Sequence, residues 1–205
     1  MGVLNELSQK PWETQGAPSE DDWTGTFGMA AEKVGLRVFL VVVTILFSLM
    51  VVVYSDRMTF SDWRHIPVPW LLWVNTALLV LASVAFQRAR DGARLARMED
   101  VKTAMLIGGG LTIAFLVGQL IAWQQLAATG NFVSSGPAAD FFYMLTAAHG
   151  LHMVGGLVAW GRSIARLRQG QEEPAAVFAS VDLCTAYWHY LLMIWVVLFG
   201  LFLFT

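Results

Sequence analysis

Charge is what this sequence has least of. Asp, Glu, Lys and Arg make up 14% of its 205 residues while 57% are hydrophobic, against roughly 25% charged in an average soluble domain. The deficit is concentrated in long runs, which excludes a soluble domain with a large core and points to a chain that crosses a membrane. Cysteine is nearly absent: Cys184 stands alone inside an apolar run, so an internal disulfide, a CxxC pair and a cysteine-rich metal cluster are all excluded. Basic residues nowhere alternate with aromatics, and no nucleic-acid partner is expected. No signal peptide is expected at the start. Residues 1 to about 30 hold Glu6, Glu13, Glu20, Asp21 and Asp22 with Trp12 and Trp23 but no apolar run, and they read as a polar tail.

What is present is a set of five apolar segments, at about 35–54, 68–86, 103–127, 138–160 and 175–204. Each is long enough to cross a bilayer core as a helix. The expected fold is therefore all-α: a polytopic membrane protein whose residues 33–205 form a five-helix bundle behind a tail at 1–32. Trp63, Trp70 and Trp73 form an interfacial belt around the second segment, and Pro67 and Pro69 suit its start. Eleven of the thirteen Lys and Arg fall in the amino-terminal region and the 87–102 and 161–174 connections, leaving Arg57 and Arg64 on the other side. That asymmetry places the amino terminus in the cytoplasm and the carboxyl terminus in the periplasm. In the third segment Gly110, Ala114, Gly118 and Ala122 fall at four-residue steps, a ridge of small residues suited to close helix packing.

Ionisable residues inside spans are costly and call for an explanation. His149 and His152 lie in an apolar stretch that also holds Gly150, Gly155 and Gly156; Asp182 and His189 lie on the last segment. Counting helical rise from the span ends brings the three histidines to similar levels near the membrane midplane. Two readings compete. In one, His149 or His152 pairs with His189 as haem or metal ligands; a dinuclear centre would need carboxylates that these spans lack. In the other, the imidazoles form a polar seam, bonding to one another or to Thr146, Thr185, Tyr187 and backbone. Asp182 either reaches the headgroups or starts a proton relay through Thr185 and His189. Asn75, Thr76 and Gln119 read as glue between helices, and Cys184 as a packing residue.

Two stretches carry a family resemblance. Phe141 to Gly156, followed by Tyr187-Trp188-His189-Tyr190 and Trp195 to Phe199, resembles the last two helices of subunit III of haem-copper terminal oxidases (cytochrome c oxidase). Val74-Asn75-Thr76 and Phe115 to Gln119 with Trp123 resemble two earlier helices, so the likeness covers all five spans. It implies the bacterial five-helix form: a non-catalytic subunit of the cytoplasmic (inner) membrane, with no cofactor of its own. Haem and copper would sit in the partner subunits, and phospholipid would be bound. Subunit I would be the direct neighbour, with subunit II and further subunits or a respiratory supercomplex around it. The implied roles are to stabilise subunit I, bind lipid and support proton uptake. Two places depart from the family pattern. Val43 stands where many members carry a buried glutamate, and Leu192 where many carry an aspartate after Tyr-Trp-His; both shift weight from proton uptake to structure and lipid. The alternatives are an accessory subunit of nitric oxide reductase, which falls in the same family, and a free-standing haem-binding electron carrier.

Overall fold

The computed structural model describes residues 31–169 and 174–204. The tail therefore lies outside the described residues for nearly all its length. Among them the fold is helical throughout: α1 (Ala31–Arg57), α2 (Leu71–Arg94), α3 (Met98–Ala128), α4 (Pro137–Gln169) and α5 (Pro174–Leu203). All five are long and apolar enough to span a membrane. The chain divides into one unit up to Val43 and another from Thr44.

Lipid dictates this architecture more than local propensity does. The run Val-Val-Val at 41–43 and again at 51–53 would suit a strand, yet it is helical. In hydrocarbon every backbone N–H and C=O must be satisfied internally, and a helix does that within one segment. The helices also outrun the apolar stretches. α2 continues to Arg94 and α4 to Gln169, so Arg88, Arg90, Arg94, Arg162, Arg166 and Arg168 sit on helical turns and not in connections.

The connections are defined by caps. α1 ends in turns in which the N–H groups of Thr59 and Phe60 donate to the carbonyls of Asp56 and Arg57. There the Arg57 guanidinium lies over Phe60 at 4.8 Å and grips the Asp62 carboxylate through both nitrogens, one at 2.7 Å. The same contact holds the Asp62 carboxyl below the usual carboxylate range, the hydrogen bond from Arg57 being the main cause. α2 and α3 close with the same device. At the first, Arg97 N–H donates to Gly92 and Ala96 N–H to Ala93; at the second, Asn131 donates to Leu126 and Gly130 to Ala127. This double bond is a Schellman cap, which needs a left-handed residue after the helix. Gly130 supplies it at φ 86°, and Ala96 supplies it at φ 54° despite its Cβ.

Within the unit from Thr44, α2 packs most extensively on α3, then on α5, with α4 against both α5 and α3. Glycines set these approaches. A Cβ added at Gly118 would lie 2.2 Å from Asn75 Oδ1, at Gly109 2.2 Å from the Trp160 ring, at Gly108 2.8 Å from Phe86, and at Gly156 2.5 Å from Tyr187. The ridge expected on α3 is therefore displaced. Gly110 and Ala114 are exposed, and nothing lies within 4 Å of a Cβ at Gly110. A step of four residues turns a helix about 40° past a full rotation, so three steps drift by about 120°. Gly118 and Ala122 face inward; the earlier pair has rotated out of the interface.

Candidate functional site

Four tryptophans hold the helices together through their ring N–H groups. Trp188 donates to Thr112 Oγ1 at 2.8 Å, Trp195 to Thr76 Oγ1 at 2.9 Å, Trp123 to Thr146 Oγ1 at 3.0 Å and Trp160 to the Met105 carbonyl at 2.9 Å. Each acceptor threonine in turn donates to the carbonyl four residues back, at Gly108, Leu72 and Phe142. A threonine in a membrane helix can satisfy its own proton this way, leaving its lone pairs for a neighbour. The indole is the matching partner because it donates and never accepts. Tyr187 adds a fifth tie, its hydroxyl donating to the His152 carbonyl at 2.7 Å.

His149 lies at the centre of this framework, with no exposed surface. Its ring is 5.4 Å from Trp195, 6.0 Å from Phe115 and 6.4 Å from Phe47, the two phenylalanines standing edge-to-face with it. Among the described residues neither nitrogen finds a hydrogen-bond partner. One of the two carries a hydrogen in neutral imidazole, and aromatic rings are what surround it. His152 is half-buried, its Nδ1 on the Ala148 carbonyl at 2.7 Å and its ring 5.5 Å from Phe47.

His189 does not join this pair. It is exposed, and its Nδ1 bonds the Thr185 carbonyl of its own helix at 2.7 Å. The register between α4 and α5 explains why. Gly156 meets Tyr187 and Trp188, His149 meets Trp195, and Phe142 meets Phe202, so each step along one helix matches a reverse step along the other. His149 is thereby level with Trp195, Leu192 with His152, and Gly155 with His189. His189 falls about six residues, or about 9 Å, from the level of His149. The common level expected for the three histidines is therefore not found: the stagger of α4 against α5 sets His189 more than one turn away from His149.

The remaining polar groups are placed as follows. Asp182 pairs with Arg90 of α2, Nε to Oδ1 at 2.6 Å, both half-buried. Thr185 is buried and donates between the Phe86 and Val181 carbonyls, at 3.1 and 2.8 Å. The stripe Asp182, Thr185, His189 is thus split three ways: to an ion pair, to the core and to the outside. Asn75 and Gln119 meet across α2 and α3, Nδ2 donating to Oε1 at 3.2 Å, and both are buried. Asn75 Oδ1 fills the space that Gly118 leaves open. Trp188 is fully enclosed against Phe86, Gly155 is exposed with no neighbour around a Cβ, and Cys184 is buried. Sequence reasoning missed Thr112, Phe47 and Arg90. The pairing of intramembrane Trp with intramembrane Thr was the available signal for the first.

A haem ligand pair does not fit these residues. His149 is sealed by its own chain's rings, and His189 is turned away and at another level. Among the described residues no three His, Cys, Asp or Glu come together as a metal site.

No protein-family model matches the chain. Among curated proteins it matches the "Probable cytochrome c oxidase subunit 3" of Mycobacterium tuberculosis, 27% identical over 124 residues, 60% of this chain and 61% of the relative. That of Nocardia farcinica is 29% identical over 125 residues, 61% of each. The "Cytochrome c oxidase subunit 3" of Corynebacterium diphtheriae is 28% identical over 136 residues, 66% of this chain and 65% of the relative. The chain is similar to bacterial cytochrome c oxidase subunit 3. The match to the mycobacterial and nocardial proteins spans about three-fifths of their length. Those relatives and the resemblance of the Thr146–Gly156 and Tyr187–Tyr190 stretches agree on the same subunit.

Proposed function

We propose that the chain serves as a non-catalytic subunit III of a proton-pumping haem-copper terminal oxidase in aerobic respiration. One observation carries the reading: the two stretches that resemble subunit III pack on each other, Gly156 beneath Tyr187 and the Tyr187 hydroxyl on the His152 carbonyl. Around them the Trp and Thr side chains are engaged in joining helices. The chemistry then belongs to neighbours: subunit I in direct contact, with subunit II in the same complex and haem and copper held there. The membrane is the bacterial cytoplasmic membrane, with the amino terminus inside, as the distribution of Lys and Arg favours. Phospholipid covers exposed apolar side chains such as Leu151 and Val52. Val43 and Leu192 leave proton uptake without the family's carboxylates, so the contribution of this chain is to keep subunit I stable during turnover.

Deletion of the chain in its host tests this reading. The oxidase should still assemble its haems but lose activity sooner during sustained oxygen consumption. An unchanged lifetime under turnover would contradict it.

A further inference from the structure

The outer face of α5 carries a polar group that the seam does not use. His189 is exposed midway along a 30-residue helix, about 21 Å of helical rise from either end, which is close to the centre of a hydrocarbon core about 30 Å thick. Its Nδ1 lies 2.7 Å from the Thr185 carbonyl. A carbonyl can only accept, so Nδ1 carries the hydrogen and Nε2 of the neutral ring is an acceptor. Among the described residues no hydrogen bond is made to Nε2. A hydrogen-bond acceptor left in hydrocarbon is costly, and acyl chains offer no donor at that depth.

The surroundings have the shape of a helix seat. Ala186, His189, Met193, Val196 and Gly200 recur at alternating steps of three and four, each exposed or half-exposed. That spacing keeps one stripe turned toward a straight neighbouring helix. Ala186 and Gly200 permit close approach, and Met193 adapts to an irregular surface. Among the described residues no helix covers the stripe: α2 and α4 pack on the opposite side of α5, through Trp188, Leu191, Trp195 and Phe202, and Arg90 of α2 reaches Asp182 beyond its end.

We infer that this stripe seats a transmembrane helix of a partner protein, which donates a hydrogen bond to His189 Nε2 at mid-membrane. The donor is a hydroxyl, amide, indole or cationic side chain, since an acceptor would repel the ring nitrogen. The identity of the partner as an oxidase subunit rests on the function proposed above; the docking chemistry does not.

The test uses the tagged full chain expressed in its host and purified in mild detergent. His189→Leu should lower the amount of partner recovered per chain by about fivefold, the scale of one interhelical bond, without changing the level of the chain in membranes. His189→Gln, whose amide oxygen accepts, should recover within about twofold of the natural protein by the same measure. In an otherwise natural chain, p-benzoylphenylalanine at position 193 should crosslink on irradiation to a membrane-spanning peptide of that same partner. This readout decides the matter even if the leucine variant fails to accumulate. Undiminished recovery with His189→Leu, or crosslinks to lipid alone, would overturn the inference. So would a natural chain that recovers no membrane partner. A natural chain that recovers a complex other than an oxidase, with the same dependence on His189 and the same crosslink, would support the docking and sink the function proposed above.

Discussion

Trp188 of α5 donates to the Thr112 hydroxyl of α3 across 2.8 Å, and that hydroxyl in turn donates a hydrogen bond to the Gly108 carbonyl at 2.9 Å. Both side chains are buried. Thr112→Val keeps the shape but leaves the Trp188 N–H with nothing to bond, a loss of about 1–3 kcal/mol. Thr112→Ser keeps the hydroxyl and should lose much less. Thermal denaturation in detergent, read by loss of the monodisperse peak, distinguishes the two. Equal Tm values for the valine and serine variants would show that the bond contributes nothing.

Two glycines eight residues apart on α3 should respond in opposite ways to the same substitution. At Gly118 even a methyl group meets Asn75 Oδ1 at 2.2 Å, whereas at Gly110 it meets nothing. Gly118→Ala is expected to destabilise by about 1–3 kcal/mol through overpacking. Gly110→Ala should be neutral or stabilise by up to about 1 kcal/mol, the helix-propensity gain. Adding Asn75→Ala to Gly118→Ala should restore part of the loss. Similar melting for the two alanine variants would contradict the close approach described for Gly118.

His149 is the most prominent polar residue of its stretch, and its removal should cost little. Among the described residues both ring nitrogens lack partners, in a site walled by Phe47, Phe115 and Trp195. Replacing an unpaired buried polar group with an apolar one of similar size avoids a desolvation penalty. His149→Leu is therefore expected to match or exceed the natural Tm, while His149→Asp, which buries a carboxylate, should prevent accumulation. A large drop in Tm for the leucine variant would mean that the imidazole makes a bond essential to the fold.

Ala96 ends α2 in a left-handed conformation that costs a side-chain-bearing residue about 1–2 kcal/mol, at φ 54°. Ala96→Gly should raise stability by about 1 kcal/mol, less the entropy glycine brings to the unfolded chain. Differential scanning of the purified protein checks the sign. A lower Tm would show that the Ala96 methyl makes a compensating contact.

The five helices were legible because lipid leaves one solution for each long apolar run. Their ends were less so, since charge ends an apolar pattern at Phe86 without ending the helix, which α2 carries on to Arg94. That extension brings Arg90 to Asp182, a pairing that no sequence spacing announces. The polar character of the Thr146–Gly156 stretch was readable, but its neighbours were not. They depend on the register that Gly156 sets beneath Tyr187, a relation between two helices and not a property of either. The small-residue ridge failed at Gly110 for a geometric reason: four is not the period of an α-helix, so a long run of four-residue steps leaves the face on which it starts.

This chain either holds redox chemistry or supports a neighbour that does. The most direct measurement is the visible spectrum of the tagged chain, purified first with its partners in mild detergent and again after they are stripped away. A haem spectrum should accompany the intact complex and vanish entirely from the stripped chain. Stoichiometric haem retained by the stripped chain, and lost on His149→Ala, would contradict the account.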